Sequence, residues 1–288
     1  MSSRKSLREL DRLADRIRLH RQRDTRPVVI TEGPTDVRVL SRAFPDQNLA
    51  YFPASTRSLA LEAAKQLGQW RLGDFACVVD RDFDHEVEAA EREESSIHAY
   101  ENADMEAMLA VSKAGIDLLL ELGSADKIER LGGAQSVIDR LSKIIEPITR
   151  LRRANIENAW GLAFDQVDLG NKIDRKLMTL KLRPYCAALV EKTDDAPNVS
   201  VLVDYASGAR VLDREPQCPK GSKPYFRGRD FLAILSVALC GFCGSKRSQS
   251  VTAENLEGPL RLAGAYEIRI SPWGEELLEI LAVEKRAP

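Results

Sequence analysis

The stretch Arg26-Pro27-Val28-Val29-Ile30-Thr31-Glu32-Gly33-Pro34 governs how the rest of the chain is read. An unbroken run of β-branched residues marks a strand buried on both faces, as parallel sheets require. Gly33 makes the turn, and Pro34 suits the first position of a following helix. Two further apolar runs come later, Leu49 to Pro53 and Phe75-Ala76-Cys77-Val78-Val79-Asp80. Helical spacing fills the intervals, from Pro34 to about Phe44 and from Thr56 to about Trp70. The βαβαβ pattern predicts an α/β fold built on a doubly wound parallel sheet.

Glu32 closes the first of these runs, and Asp80 and Asp82 close the third. Ligands of an open parallel sheet bind at the carboxyl ends of its strands, where the strand order reverses. In the order 2-1-3-4 the first and third strands are neighbours and their tips lie about 5 Å apart. At that distance two carboxylates repel by roughly 1 kcal/mol in water and about 3 kcal/mol at an effective dielectric near 20, which a bound Mg²⁺ or Mn²⁺ would relieve. Asp82 follows Asp80 by two residues, so an extended continuation aims both carboxylates to one side and Arg81 elsewhere. Any one acid at a strand end commonly just begins a solvated loop. Three at one rim favour a metal site.

Asp36, Asp84 and Glu106 are candidate further ligands, and Asp104 lies beside the last of them. Each has a plainer alternative. Asp36 falls in a first helical turn, where the dipole favours acids; Asp84 sits in a charged loop; Asp104 and Glu106 stand at a helix start.

Beyond Asp80 the sequence predicts a charged loop from Asp82 to Ser96, a fourth strand at Ile97-His98-Ala99-Tyr100, and a helix opening near Ala103. Ile116 to Leu122 and Ser136 to about Asn158 are helical in pattern. Met178, Leu180 and Leu182 alternate as in a short strand, Pro184 to Lys192 and Gly228 to Leu239 suit helices, and Ser271-Pro272 caps a last helix through Ala282. Leu7, Leu10, Ala14 and Ile17 make residues 4–23 an amphipathic helix that could meet nucleic acid, a partner protein or the chain's own second domain, the last being the preferred expectation. The expected organisation is a basic N-terminal helix (1–25), an α/β domain (26–112) and a mainly helical domain (113–288).

With 288 residues, 44% apolar and 30% charged, the composition excludes a disordered chain. The net charge of −2 conceals local extremes. Residues 1–26 sum to +5, residues 80–106 to −9 and residues 210–247 to +5. The acidic segment would repel nucleic acid without bound cations, whereas Lys220, Lys223, Arg227 and Arg229 are placed to grip phosphates. No secretory leader or membrane-length apolar run is present, which with five unpatterned cysteines predicts a cytoplasmic protein. Cys240 and Cys243 have a Cys-x-x-Cys spacing, but no second matched pair completes a zinc set.

Motif order sorts the enzyme classes. Haloacid-dehalogenase-type phosphatases carry Asp-x-Asp after the first strand, and receiver domains carry a lone Asp after the third; this chain has Glu-Gly and then Asp-Arg-Asp. No Walker-type Gly-x-x-x-x-Gly-Lys-Ser/Thr occurs. Thr31-Glu32-Gly33-Pro34-Thr35-Asp36, followed by Val79-Asp80-Arg81-Asp82-Phe83-Asp84, resembles the Toprim domain of topoisomerases, primases and OLD-family nucleases. With Tyr100-Glu101-Asn102-Ala103-Asp104-Met105-Glu106 included, the spacing is similar to Toprim-type proteins encoded beside ABC-type ATPases, among them the AriB-like nuclease subunits of PARIS phage-defence systems. Gly228-Arg229-Asp230 is similar to a Gly-His-Asp element of that family, with Arg in place of His.

The resemblance implies a Toprim-type sheet in the order 2-1-3-4 and Mg²⁺- or Mn²⁺-dependent cleavage of nucleic acid, DNA or structured RNA such as tRNA. Glu32, Asp80 and Asp82 would be the catalytic and metal-holding residues, and Glu32 alternatively a general acid or base. It also implies control by a partner ABC-type ATPase, and a homodimer is a further expectation. The contrasting possibility is a non-catalytic partner or regulatory module with a vestigial metal site.

Overall fold

In the computed structural model, which describes residues 12–220 and 224–282, every residue of strands β1 (Val28–Thr31) and β3 (Phe75–Val79) is buried. Burial on both faces is the physical reason for their unbroken apolar runs. β1 pairs in parallel with β2 (Ala50–Pro53) on one side and β3 on the other, and β3 pairs in parallel with β4 (Ile97–Ala99). The sheet is therefore four-stranded and all-parallel, in the order β2-β1-β3-β4. The chain is α/β with mostly helical content, as the sequence predicts.

Two compact units make up the chain. The first holds the described residues up to Arg81, together with His85–Tyr100 and those from Ala265 onward; the second holds Asp82–Asp84 and Glu101–Gly264. The sequence divided the chain into continuous segments, 1–25, 26–112 and 113–288. A continuous cut cannot represent a unit that recruits its last helix from the far end of the chain.

Helices α1 (Leu13–Arg21), α2 (Pro34–Ala43), α3 (Arg57–Gln69) and α4 (Glu86–Glu93) accompany the sheet. Ala14 and Ile17 of α1 join Ala60, Ala64 and Leu67 of α3 in one core cluster with Val28, Ile30, Cys77 and Val79. The N-terminal helix thus packs within the sheet unit, not on the second domain as expected; Leu7 and Leu10 lie outside the described residues. The expected loop from Asp82 to Ser96 contains α4. Its composition hides it: only Val87 is buried, while Glu86 and Glu88 suit the helix start and Glu88 pairs with His85 and Arg92.

The second unit contains α5 (Met105–Ala110), α6 (Lys113–Leu122), α7 (Ala125–Arg130), α8 (Ala134–Asn158), α9 (Leu182–Glu191), α10 (Val199–Ser207) and α11 (Gly228–Gly241). A two-stranded antiparallel pair, β5 (Ile173–Asp174) and β6 (Thr179–Leu180), precedes α9. Thereafter come α12 (Ala253–Ile270) and α13 (Pro272–Ile280). The hydroxyl of Ser271 caps α13 by accepting the Gly274 N–H at 3.0 Å.

In the first unit Trp273 of α13 is buried and stacks on His98 and Tyr100, with centroids 4.6 and 5.2 Å apart. Its indole N–H donates to the Ala99 carbonyl at 2.9 Å. Aromatic stacking plus a satisfied indole thus secures the end of β4. Among the described residues no helix is long and apolar enough to cross a membrane.

Candidate functional site

Parallel register brings the first-strand and third-strand acids together. Thr31 is paired with Val78. One residue further, Glu32 stands opposite Val79 and next to Asp80. A Glu32 carboxylate oxygen accepts the Asp80 N–H at 2.9 Å, and the Glu32 carbonyl accepts the Ser55 N–H at 2.8 Å. Glu32 thereby spans the carboxyl ends of three neighbouring strands. Both Glu32 and Asp80 are half-buried, so their charges are partly shielded from bulk water and respond strongly to a nearby cation.

Asp36 occupies the first turn of α2. One of its carboxylate oxygens accepts the Gly33 N–H at 3.0 Å, and the other accepts the Tyr100 hydroxyl at 2.9 Å. This is the helix-start role that the sequence left open beside metal binding. Arg81, between the two motif aspartates, turns inward: it is buried, grips both Glu91 oxygens at 2.8 and 2.9 Å, and donates to the Tyr100 carbonyl at 3.2 Å. A bidentate guanidinium–carboxylate pair of this kind anchors the strand end.

Asp82 and Asp84 belong to the second unit. The expected extended continuation stops at Asp82, whose φ of +50° lies in the left-handed region. Aspartate tolerates that region better than most residues. Phe83 between them is buried, while Asp82 and Asp84 are half-buried.

Asp104 caps α5, accepting the Ala107 N–H at 2.7 Å, and also accepts the Gly228 N–H with both oxygens at 3.0 Å. Burial, then the Glu106 charge, pushes its carboxyl up to about 7, against the lowering pull of those amides. Glu106 pairs with Arg261, which satisfies it within the second unit. The Gly-Arg-Asp element has a structural explanation. A Cβ on Gly228 would meet the Glu106 Cβ at 2.4 Å and the Ala107 nitrogen at 2.6 Å, and Asp230 forms an ion pair with Arg152 at 2.6 Å.

Among the cations expected to hold phosphates, Lys220 pairs with Glu101 at 3.0 Å, Arg227 with Asp165 at 2.6 Å and Arg229 with Glu254 at 3.3 Å. Lys223 lies outside the described residues. Lys220 and Arg229 are half or more exposed, and exposed pairs of this sort contribute about 1 kcal/mol or less, a small barrier to exchange for a phosphate. Burial pushes the Cys243 thiol up to about 11, so at neutral pH it packs as a neutral thiol.

Among the described residues no three His, Cys, Asp or Glu side chains form a group able to hold a metal ion by themselves. The Glu32–Asp80 arrangement still fits Mg²⁺, which keeps several waters and is commonly bound through one or two carboxylates plus substrate phosphates. Arg153 and Tyr225, which tie the Asp82–Asp84 segment, were not singled out from sequence. Their partners are remote in the chain, and no local pattern marks them. Comparison with protein-family models, curated proteins and solved structures finds no significant match to this chain.

Proposed function

We propose that this chain is a divalent-metal-dependent nuclease of the Toprim type, hydrolysing phosphodiester bonds in DNA or structured RNA. The observation that carries the proposal is the Glu32 carboxylate seated on the Asp80 amide, at the carboxyl rim of a sheet ordered β2-β1-β3-β4. Glu32 and Asp80 would hold Mg²⁺ or Mn²⁺, with Asp82 added on the strength of its motif. When bound, the ion supplies Lewis-acid polarisation of a phosphate oxygen and a more acidic water. The Asp80 amide fixes one Glu32 oxygen and so orients the carboxylate. Lys220, Arg227 and Arg229 would bind backbone phosphates and neutralise the approach of an anionic strand.

On the motif resemblance we also assign a role as a phage-defence effector restrained by a partner ABC-type ATPase, and we further propose a cytoplasmic homodimer. The test is a cleavage panel of supercoiled DNA, linear DNA, total RNA and tRNA with Mg²⁺ or Mn²⁺, run with and without the ATPase, beside Glu32→Gln and Asp80→Asn. Cleavage that needs the metal and disappears in both variants supports the nuclease. A second reading is a non-catalytic regulatory module, in which Asp36 keeps the helix-start role seen with Gly33 and Tyr100. Cleavage that survives both substitutions, or is missing under every condition, would favour it.

A further inference from the structure

One face of α11 is left uncovered within the second unit. Phe231, Leu232, Ile234, Leu235, Ala238 and Leu239 are 1% exposed or less and fill the core. Ala233, Ser236, Val237 and Cys240, spaced as one side of a helix, instead line a cleft of about 540 Å³. The segment from Phe164 to Asn171, Tyr185 of α9 and the start of α12 close its other sides, all of them within the second unit. That volume falls in the range of small-molecule pockets.

Tyr185 lines the cleft although only 1% of it is exposed, and its hydroxyl makes no hydrogen bond among the described residues. It is not sealed in the packing, so it opens on the cleft. Burial, then the Asp230 charge, pushes its ionisation above the usual phenol range, which keeps it a neutral hydroxyl able to donate and accept. An unmatched group at this depth is costly. Its partner therefore comes from whatever enters the cleft.

The charges nearest Tyr185 are already spent. Asp230 accepts from Arg152 with both carboxylate oxygens, at 2.6 and 2.8 Å. The inner cleft thus offers no open countercharge, only hydroxyls and apolar surface. Ser236 supplies a second hydroxyl without a hydrogen bond among the described residues, and Val167, Val237 and Phe164, whose ring carries Arg152 at 4.3 Å, supply the apolar part. A neutral ring with donors and acceptors on its edge, the chemistry of a nucleobase, suits that lining. Guanidiniums stand further out: Arg229, half exposed, pairs with Glu254 at 3.3 Å, and Arg227 pairs with Asp165 at 2.6 Å. Neutral within and cationic without is the order in which a nucleotide presents base and phosphate.

We propose that this cleft binds a nucleotide unit, with the base against Tyr185 and Ser236 and the phosphate toward Arg229 and Arg227. The phosphate half rests on the arginine roles assigned above; the base half stands apart from metal-dependent cleavage.

The test is equilibrium dialysis of the full chain in EDTA against adenosine, uridine, their 5′-monophosphates, a short single-stranded oligonucleotide and inorganic phosphate. Alkylation of Cys240 by iodoacetamide, read by peptide mass spectrometry, locates the bound probe, because Cys240 lines the cleft while Cys77, Cys186, Cys218 and Cys243 are buried. Nucleosides and monophosphates are expected to bind saturably and to slow that alkylation, and phosphate alone is not. Tyr185→Phe deletes a hydroxyl that holds nothing in the free chain, so Tm should stay constant while affinity falls about 3- to 10-fold. Ala233→Leu fills the cleft and should abolish binding. Stronger binding of the oligonucleotide than of the monophosphates assigns the base to a strand, and the reverse assigns it to a free nucleotide. Absence of binding by every nucleoside and nucleotide, equal protection of Cys240 by phosphate alone, or wild-type affinity in both variants would overturn the site. Monophosphates no tighter than nucleosides would overturn the arginine half. Failure of metal-dependent cleavage with binding intact would strike the nuclease reading and leave this site in place.

Discussion

The Tyr100 hydroxyl donates to one Asp36 carboxylate oxygen at 2.9 Å while the Gly33 N–H donates to the other at 3.0 Å. Asp36 thus links the end of β4 to the first turn of α2. Asp36→Ala removes a capping interaction and the carboxylate that accepts the hydroxyl of buried Tyr100, so a loss of about 1–3 kcal/mol is expected in urea unfolding. Unaltered stability with lost Mn²⁺ binding would instead make Asp36 a ligand.

Glu32 allows charge and scaffold to be separated. Glu32→Gln retains an oxygen for the Asp80 N–H, so stability should stay within about 0.5 kcal/mol, whereas Glu32→Ala leaves that amide unmatched and should cost about 1–2 kcal/mol. Both should abolish cleavage. Equal stability losses in the two variants would refute the bracket between the strands.

The two glycines in the sequence motifs should behave oppositely. Gly33 has a φ of −143°, extended backbone open to any residue, and an added Cβ would lie 3.7 Å from Asp36, an ordinary contact. Gly33→Ala should be close to neutral. Gly228→Ala drives a Cβ to 2.4 Å from Glu106, and overpacking of this kind costs about 1–3 kcal/mol. Thermal unfolding of the pair checks the contrast.

Asp104 should leave a mark on the pH dependence of stability. Its carboxyl is raised to about 7 in the folded chain from 3.8, so the stability it contributes is full below about pH 4 and is lost as pH rises through 7. Asp104→Asn keeps a helix-capping oxygen and removes the titration. Urea midpoints between pH 5 and 8 should therefore shift in favour of the variant as pH increases. A constant gap between the two proteins would contradict the assignment.

Arg152 and Asp230 are 11% and 10% exposed, so removing one charge leaves the other buried without its partner. Asp230→Ala should destabilise the second unit by about 3–5 kcal/mol. The double variant Arg152→Met with Asp230→Ala should recover part of that loss, which a double-mutant cycle in denaturant would read.

Sequence alone determined the four strands of the parallel sheet and their direction. An apolar run such as Val28-Val29-Ile30 is a local signal, because a strand covered on both faces needs no polar alternation. It also marked Glu32 and Asp80 as rim residues, since position at a strand end is local too. The α4 helix escaped notice because one buried residue, Val87, makes no periodic stripe. Tertiary structure decided the rest. It seated Glu32 on the Asp80 amide across 48 residues, gave Asp36 to Tyr100 across 64, and joined Tyr225 to Asp82 across 143. Hydrogen bonds of that reach depend on which backbone groups the packed core leaves facing a side chain, and no periodicity along the chain encodes that.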